Sequence, residues 1–263
     1  MATIRLIPER FRWRPRPDAE GQMTLVEHLE ELRYRLFICF IAVAAAGIVG
    51  WFLYDRIIDL MRDPYCRYLV TVPLRDRPTR GCNFFFFGAI DPVIVKFKVV
   101  GFVGLFLALP VVLYQLWGFI VPGLTRRERR LAIPFVVSSV VLFALGVLVA
   151  YVTLPRALDF LLGFAGKDFA PLLTGDKYLS FVMLVALAFG ISFEFPIVLI
   201  FLEIAGVLTP QKLREWRRGA IVGIAVFAAV ITPSSDPYSM LAMCIPMWLF
   251  YELSIIVGRL LKK

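Results

Sequence analysis

The chain has 263 residues, is 60% hydrophobic with a mean hydropathy of +0.78, and carries a formal charge of +9. A soluble domain is about 45–50% apolar, so this composition excludes one and reads as an integral membrane protein. The basic residues cluster between apolar runs, as orientation signals do, which argues against nucleic acid, and the alternating ~10-residue pattern of an outer-membrane barrel is missing.

Residues 1–22 hold Arg5, Arg10, Arg12, Arg14 and Arg16 with three prolines, and lack the apolar core of a cleaved signal peptide. They are expected to form a mobile, basic cytosolic tail with some attraction to anionic lipid. In the next stretch, TLVEHLEELRYRL, Leu25, Leu29, Leu32 and Leu36 recur at helical spacing, with Glu27, Glu30, Glu31 and Arg33 opposite them. This predicts an amphipathic helix at the membrane surface, leading into a first span over 36–54. Residues 55–87 then form a polar excursion with six arginines and four aspartates. It is placed outside because Lys and Arg fall on the other set of connectors about twice as often, which puts both termini in the cytoplasm. Cys66 and Cys82 lie in this excursion, whereas Cys39 and Cys244 fall within spans. In an oxidising compartment a Cys66–Cys82 bridge is expected to contribute roughly 3 kcal/mol by restricting the unfolded loop, the alternative being two free thiols. No CxxC spacing suggests a metal site.

A second span is predicted over 92–117, with Lys96 and Lys98 snorkelling back to the outer interface. Its connector to the third span lies within PVVLYQLWGFIVPGLTRRERRLAIP (110–134), where Arg126, Arg127, Arg129 and Arg130 surround the lone acid Glu128. The third span is predicted over 131–151, and the fourth, over 178–202, follows an outer loop with Lys167, Asp168, Pro171 and Gly175. Thr209-Pro210 signals a helix start in the next inner loop. The fifth apolar run, 219–231, reaches only ~20 Å at ~1.5 Å per residue, short of ~30 Å of hydrocarbon. After the tight outer turn TPSSDP, a sixth span over 238–257 returns the chain to the basic tail RLLKK. The expected architecture is a single six-helix membrane domain over 23–263, without a soluble domain.

Glu194 falls near the middle of the fourth span, and an ionisable group at that depth marks a functional site or a polar contact inside the bundle. Pro196, two positions later, frees a backbone carbonyl and bends the helix. Glu252 reads as interfacial. Catalysis has little support: His28 is the single histidine, and neither HExxH nor a GxxxxGK[ST] phosphate loop is present. What remains is binding, with Glu31 and Glu128 as surface carboxylates suited to bidentate pairing with a guanidinium ligand, or neutralised by local arginines. A proton-coupled solute transporter using Glu194 is the runner-up, although no internal repeat supports it. An intramembrane hydrolase lacks a nucleophile and base.

The segments HLEELRYRL, PVVLYQLWGFIVPGLTRRERR, LSFVMLVALAFGISFEFP and TPSSDPYSMLAMCIPMWLFYE, in this order, resemble the TatC subunit of the twin-arginine protein translocase over about 23–259. The resemblance implies a concave, glove-like six-helix bundle with short fifth and sixth helices in the cytoplasmic membrane. It also implies a receptor for twin-arginine signal peptides of folded cargo, exported by the proton-motive force, with no enzyme activity and no cofactor. Glu31 and Glu128 would bind the arginine pair and Phe119 would line the same patch. Glu194 would meet single-helix partners of the TatA and TatB type in a multimeric receptor complex. Pro64, in DPYC, and Asp236, in the last outer turn, would be structural. The outer loop departs from the shorter family pattern by its two cysteines and extra arginines.

Overall fold

The structure is a computed structural model that describes residues 25–71, 81–120, 132–163, 173–233 and 236–261. The described chain is helical: α1 (Leu25–Thr71), α2 (Asp91–Ile120), α3 (Ala132–Gly163), α4 (Gly175–Phe193), α5 (Phe195–Ile204), α6 (Pro210–Glu215), α7 (Arg217–Ile231) and α8 (Pro237–Leu261). Among the described residues, five helices are long and apolar enough to cross a membrane, α4 and α5 together making one of them. The protein is therefore an all-α, multi-pass membrane protein. The predicted fifth span lies in α7, whose 15 residues give only about 22 Å. The last helix, expected to be short as well, runs for 25 residues. Its first turn is capped by Asp236, whose carboxylate accepts from the Ser239 N–H at 2.7 Å, and its apolar sequence continues through Ile255, Ile256 and Val257 to Arg259.

α1 differs most from the sequence reading. A span over 36–54 followed by an excursion becomes one helix of 47 residues, about 70 Å long. Beyond residue 54 the helix is held by side-chain pairs along its own surface, Arg62 to Asp59 at 2.8 Å and Arg67 to Asp63 at 2.7 Å. Met61, Tyr65, Tyr68 and Leu69 form an apolar stripe on this extension that is buried in the core. Pro64 sits inside it and is fully buried. A proline cannot donate to the carbonyl four residues back, which frees Leu60, and its ring disturbs the neighbouring bond. Two tyrosines from other helices meet these carbonyls. The Tyr178 hydroxyl donates to Met61 O at 3.0 Å, and the Tyr151 hydroxyl lies 3.1 Å from Leu60 O and 3.0 Å from the Asp63 carboxylate. Tyr65, Phe84 and Tyr178 stack beside them, with ring centroids 4.9–5.8 Å apart. Cys66 and Cys82 join this cap with Cα atoms 5.3 Å apart, within the range a disulfide spans. Gly175 N–H donates to Phe85 O at 3.0 Å, tying the segment to the start of α4.

Small residues set the spacing of the bundle. A Cβ at Gly104 would stand 2.8 Å from Val43 O of α1, and one at Gly146 of α3 would stand 2.6 Å from Phe189 O of α4. Between helices in lipid, where apolar burial supplies little drive, such close backbone approach supplies the packing attraction. The largest cluster of buried residues joins α1, α4 and α8 through Tyr178, Phe189, Met243 and Ile255.

Candidate functional site

At the end of the bundle where α1 begins, Leu29, Leu32 and Leu36 point away from the other helices while Glu31 is only 9% exposed. The amphipathic pattern therefore turns its apolar stripe to the surroundings and buries a carboxylate. Glu31 is held by its own helix: Arg35 donates from Nε at 2.9 Å and from Nη2 at 2.5 Å, both to Oε1. The same guanidinium donates from Nη1 to the Gln115 side chain at 3.2 Å and to the Gln115 carbonyl at 3.4 Å on α2. Room for it exists because residue 118 is glycine, since a Cβ there would collide with Arg35 Nη1. One consequence is asymmetric. Oε1 takes two donors, and Oε2 is buried without a hydrogen-bond partner among the described residues. A buried carboxylate oxygen left so costs free energy that an added donor would recover.

Phe119, one turn after Gln115, stacks on His28 with centroids 4.3 Å apart at an interplanar angle of 18°. Beneath it Trp117 is buried between Phe135, at 4.6 Å, and Phe201, at 5.2 Å. Glu31, Arg35, Gln115, Phe119 and His28 thus form one patch across the α1–α2 contact. Glu128, with the four arginines around it, lies outside the described residues, as does the basic tail over 1–22. Arg35, Gln115 and Gly118 were not singled out from the sequence. The signal for Arg35 was its place four residues after Glu31 on a helix; Gln115 and Gly118 reveal themselves only when α2 is docked against α1.

Glu194 occupies the break between α4 and α5. Pro196 has no N–H for Ser192 O, while the Ser192 hydroxyl turns back onto Ala188 O at 2.6 Å, and together these interrupt the helix there. The Glu194 carboxyl is half-buried and faces Ser139 of α3. Its Oε1 and the Ser139 Oγ make no hydrogen bond among the described residues. Nearer the start of α6 lies a second polar group. Arg217 pairs with Glu252 at 2.5 Å, the Tyr251 hydroxyl donates to Leu213 O at 2.6 Å, and Glu203, 3% exposed, fits against α8 where Gly258 has no side chain. Glu252 is thus an ion-pair partner. Thr209 starts α6 as expected, accepting from Lys212 N–H at 3.3 Å. At the opposite end, the two lysines predicted to snorkel find partners: Lys98 pairs with Asp176 at 2.6 Å, and Lys96 stands 4.1 Å above the Trp51 ring.

The family model for "Sec-independent protein translocase protein (TatC)" matches residues 27–246. A Sec-independent protein translocase protein TatC from Frankia casuarinae is 43% identical over 94% of this chain and 68% of its own length. The protein of the same name from Aquifex aeolicus is 39% identical over 92% of this chain and 97% of its own. A crystal structure described as the twin arginine translocase receptor TatC superposes with a TM-score of 0.70 and 38% identity, covering 90% of this chain and all of that one.

Proposed function

We propose, since this chain belongs to the TatC family of Sec-independent protein translocase proteins, that it is the subunit that receives twin-arginine signal peptides at the cytosolic face. The family is a translocase component, which is not an enzyme class. In this reading Glu31 offers its open Oε2 to one guanidinium of the arginine pair, Glu128 accepts the other, and Phe119 with His28 flanks the peptide. The observation that carries it is the lopsided coordination of Glu31. Arg35 fills Oε1 from within the helix and is itself fixed by Gln115, so the carboxylate is oriented, and its second oxygen, without a partner among the described residues, can take an incoming donor. Arginine suits such a site better than lysine, because a planar guanidinium delivers two parallel hydrogen bonds.

In this proposal the protein sits in the cytoplasmic membrane with both termini on the cytosolic side, on the distribution of basic residues. Glu194, half-buried at a helix break beside Ser139, meets a polar position of single-span TatA-type or TatB-type subunits, and a multimeric receptor complex then exports folded cargo on the proton-motive force. The far cap is structural. Pro64 shapes the α1 extension, Asp236 caps α8, and a Cys66–Cys82 bridge, supported by the 5.3 Å Cα separation, holds the segment after the extension.

Photo-crosslinking to a signal peptide in membrane vesicles tests the reading. Glu31→Gln is expected to cut crosslinking of an Arg-Arg peptide by roughly tenfold or more, the loss of one charge-assisted hydrogen bond, and Glu128→Ala is expected to weaken it too. A Lys-Lys peptide should stay at its already low level. Full retention of Arg-Arg crosslinking in both variants would reject the site. Glu194→Ala should spare the peptide and lower copurification of single-span subunits. If it abolished proton-coupled solute uptake by this chain alone in proteoliposomes, a transporter would replace the receptor.

A further inference from the structure

An apolar groove of about 440 Å³ runs along the lipid-facing side of the α1–α2 contact. Phe40, Ala44, Ile48 and Trp51 line it from α1 and Phe97 and Gly101 from α2. From Phe40 to Phe52 it extends about 18 Å along the helix axis, more than half of the ~30 Å hydrocarbon layer. Its floor is kept low by glycine: a Cβ at Gly101 would meet nothing within 4 Å. One end of the groove is charged. The Lys96 ammonium sits over the Trp51 ring at 4.1 Å and within 5.2 Å of the Tyr54 ring centroid. It has no ion-pair partner among the described residues, whereas its neighbour Lys98 is neutralised by Asp176. On the same helix, the Asp91 carboxylate accepts from the Gly88 N–H at 2.8 Å.

We propose that this groove is a binding site for an anionic phospholipid of the leaflet at the Tyr178 end, with its acyl chain between α1 and α2 and its headgroup phosphate on Lys96. The chemistry fits an amphiphile. A cation at the mouth, held over an aromatic face, keeps donors for a phosphate oxygen, and an uninterrupted apolar channel leads from it toward the bilayer middle. A transmembrane helix laid in the same channel would bring apolar surface against an uncompensated ammonium, which disfavours it.

The test uses the full chain reconstituted in phosphatidylcholine vesicles with a few mole per cent of either phosphatidylglycerol or phosphatidylcholine carrying a photoreactive acyl chain, and adducts mapped by peptide mass spectrometry. Phosphatidylglycerol should label residues 40–52 and 97–101 in preference to phosphatidylcholine by roughly fivefold, the advantage one basic residue gives near a membrane surface. Lys96→Gln should equalise the two lipids. Gly101→Leu, which fills the groove without meeting a neighbour at its Cβ, should remove groove labelling by both while leaving gel-filtration behaviour unchanged. Equal labelling of the unsubstituted chain by the two lipids, or a preference that survives Lys96→Gln, would overturn the proposal. So would loss of labelling on adding a single-span subunit, which would make the groove a protein interface.

Discussion

The two ends of the bundle handle buried polar groups in opposite ways. At the Tyr178 end, the Leu60 carbonyl that Pro64 frees is met by the Tyr151 hydroxyl at 3.1 Å, and the adjacent Met61 carbonyl accepts from Tyr178 at 3.0 Å, with stacked aromatics around them. At the Glu31 end, a carboxylate is buried with one oxygen accepting two hydrogen bonds and the other without a partner among the described residues. The first end finds partners for peptide carbonyls across 117 residues of sequence, whereas at the second Glu31 Oε2 has no partner among the described residues, the feature on which the proposed receptor site rests. The cap ties α1 to α3 and α4, while at the other end Arg35 and Gln115 orient Glu31 locally.

Several substitutions would break or sharpen this contrast. Tyr178→Phe keeps the ring and removes the hydroxyl, leaving Met61 O uncapped in a buried site. It should cost about 1–3 kcal/mol, read as a lower thermal unfolding temperature in detergent. In a Pro64→Ala background residue 64 regains an N–H for Leu60 O, so Tyr151→Phe should cost less there than beside Pro64, and a double-mutant cycle should give a coupling of about 0.5 kcal/mol or more. A coupling of zero would mean that the hydroxyl and the proline are unrelated. Tyr151→Phe should cost less than Tyr178→Phe, because its contact with Leu60 O is exposed to solvent.

At the other end, Gly118→Ala would push the Arg35 guanidinium off Gln115 and loosen Glu31. A shift of about 0.7 kcal/mol, typical of one neutral hydrogen bond, corresponds to roughly threefold weaker crosslinking of an Arg-Arg peptide, with the unfolding temperature unchanged. If stability fell and peptide binding did not, this end would be another structural cap. The smallest effect is expected from Lys98→Met, which removes a half-exposed ion pair and should alter stability by less than about 1 kcal/mol.

Much of this molecule was legible in its residues. The membrane class followed from apolar runs whose required length is fixed by bilayer thickness, and the start of α6 from Thr209 with Pro210 behind it. Glu194 stood out because an acid within an apolar run is rare, and Pro196 marked the break beside it. The extension of α1 beyond residue 54 was not legible. Local hydropathy falls there, and what keeps it helical is burial of Met61, Tyr65 and Leu69 against distant helices together with two hydroxyls from α3 and α4. The patch around Glu31 was half legible: Glu31 and Phe119 could be named, and at the other end the lysines were read as snorkelling because Asp176, 78 residues from Lys98, has no local signature.

Residue order alone set which segments are apolar enough to cross a membrane, where α6 starts at Thr209, and which carboxylates, Glu194 among them, stand in apolar runs. These are sums over neighbours along the chain, governed by transfer from water and by local capping. Helix packing decided that Arg35 should hold one oxygen of Glu31 from beside Gln115, and that Tyr151 should meet the carbonyl Pro64 frees. Those pairings depend on how one helix is set against another, which no run of neighbours along the chain encodes and which the close backbone contacts at Gly104 and Gly146 help to fix.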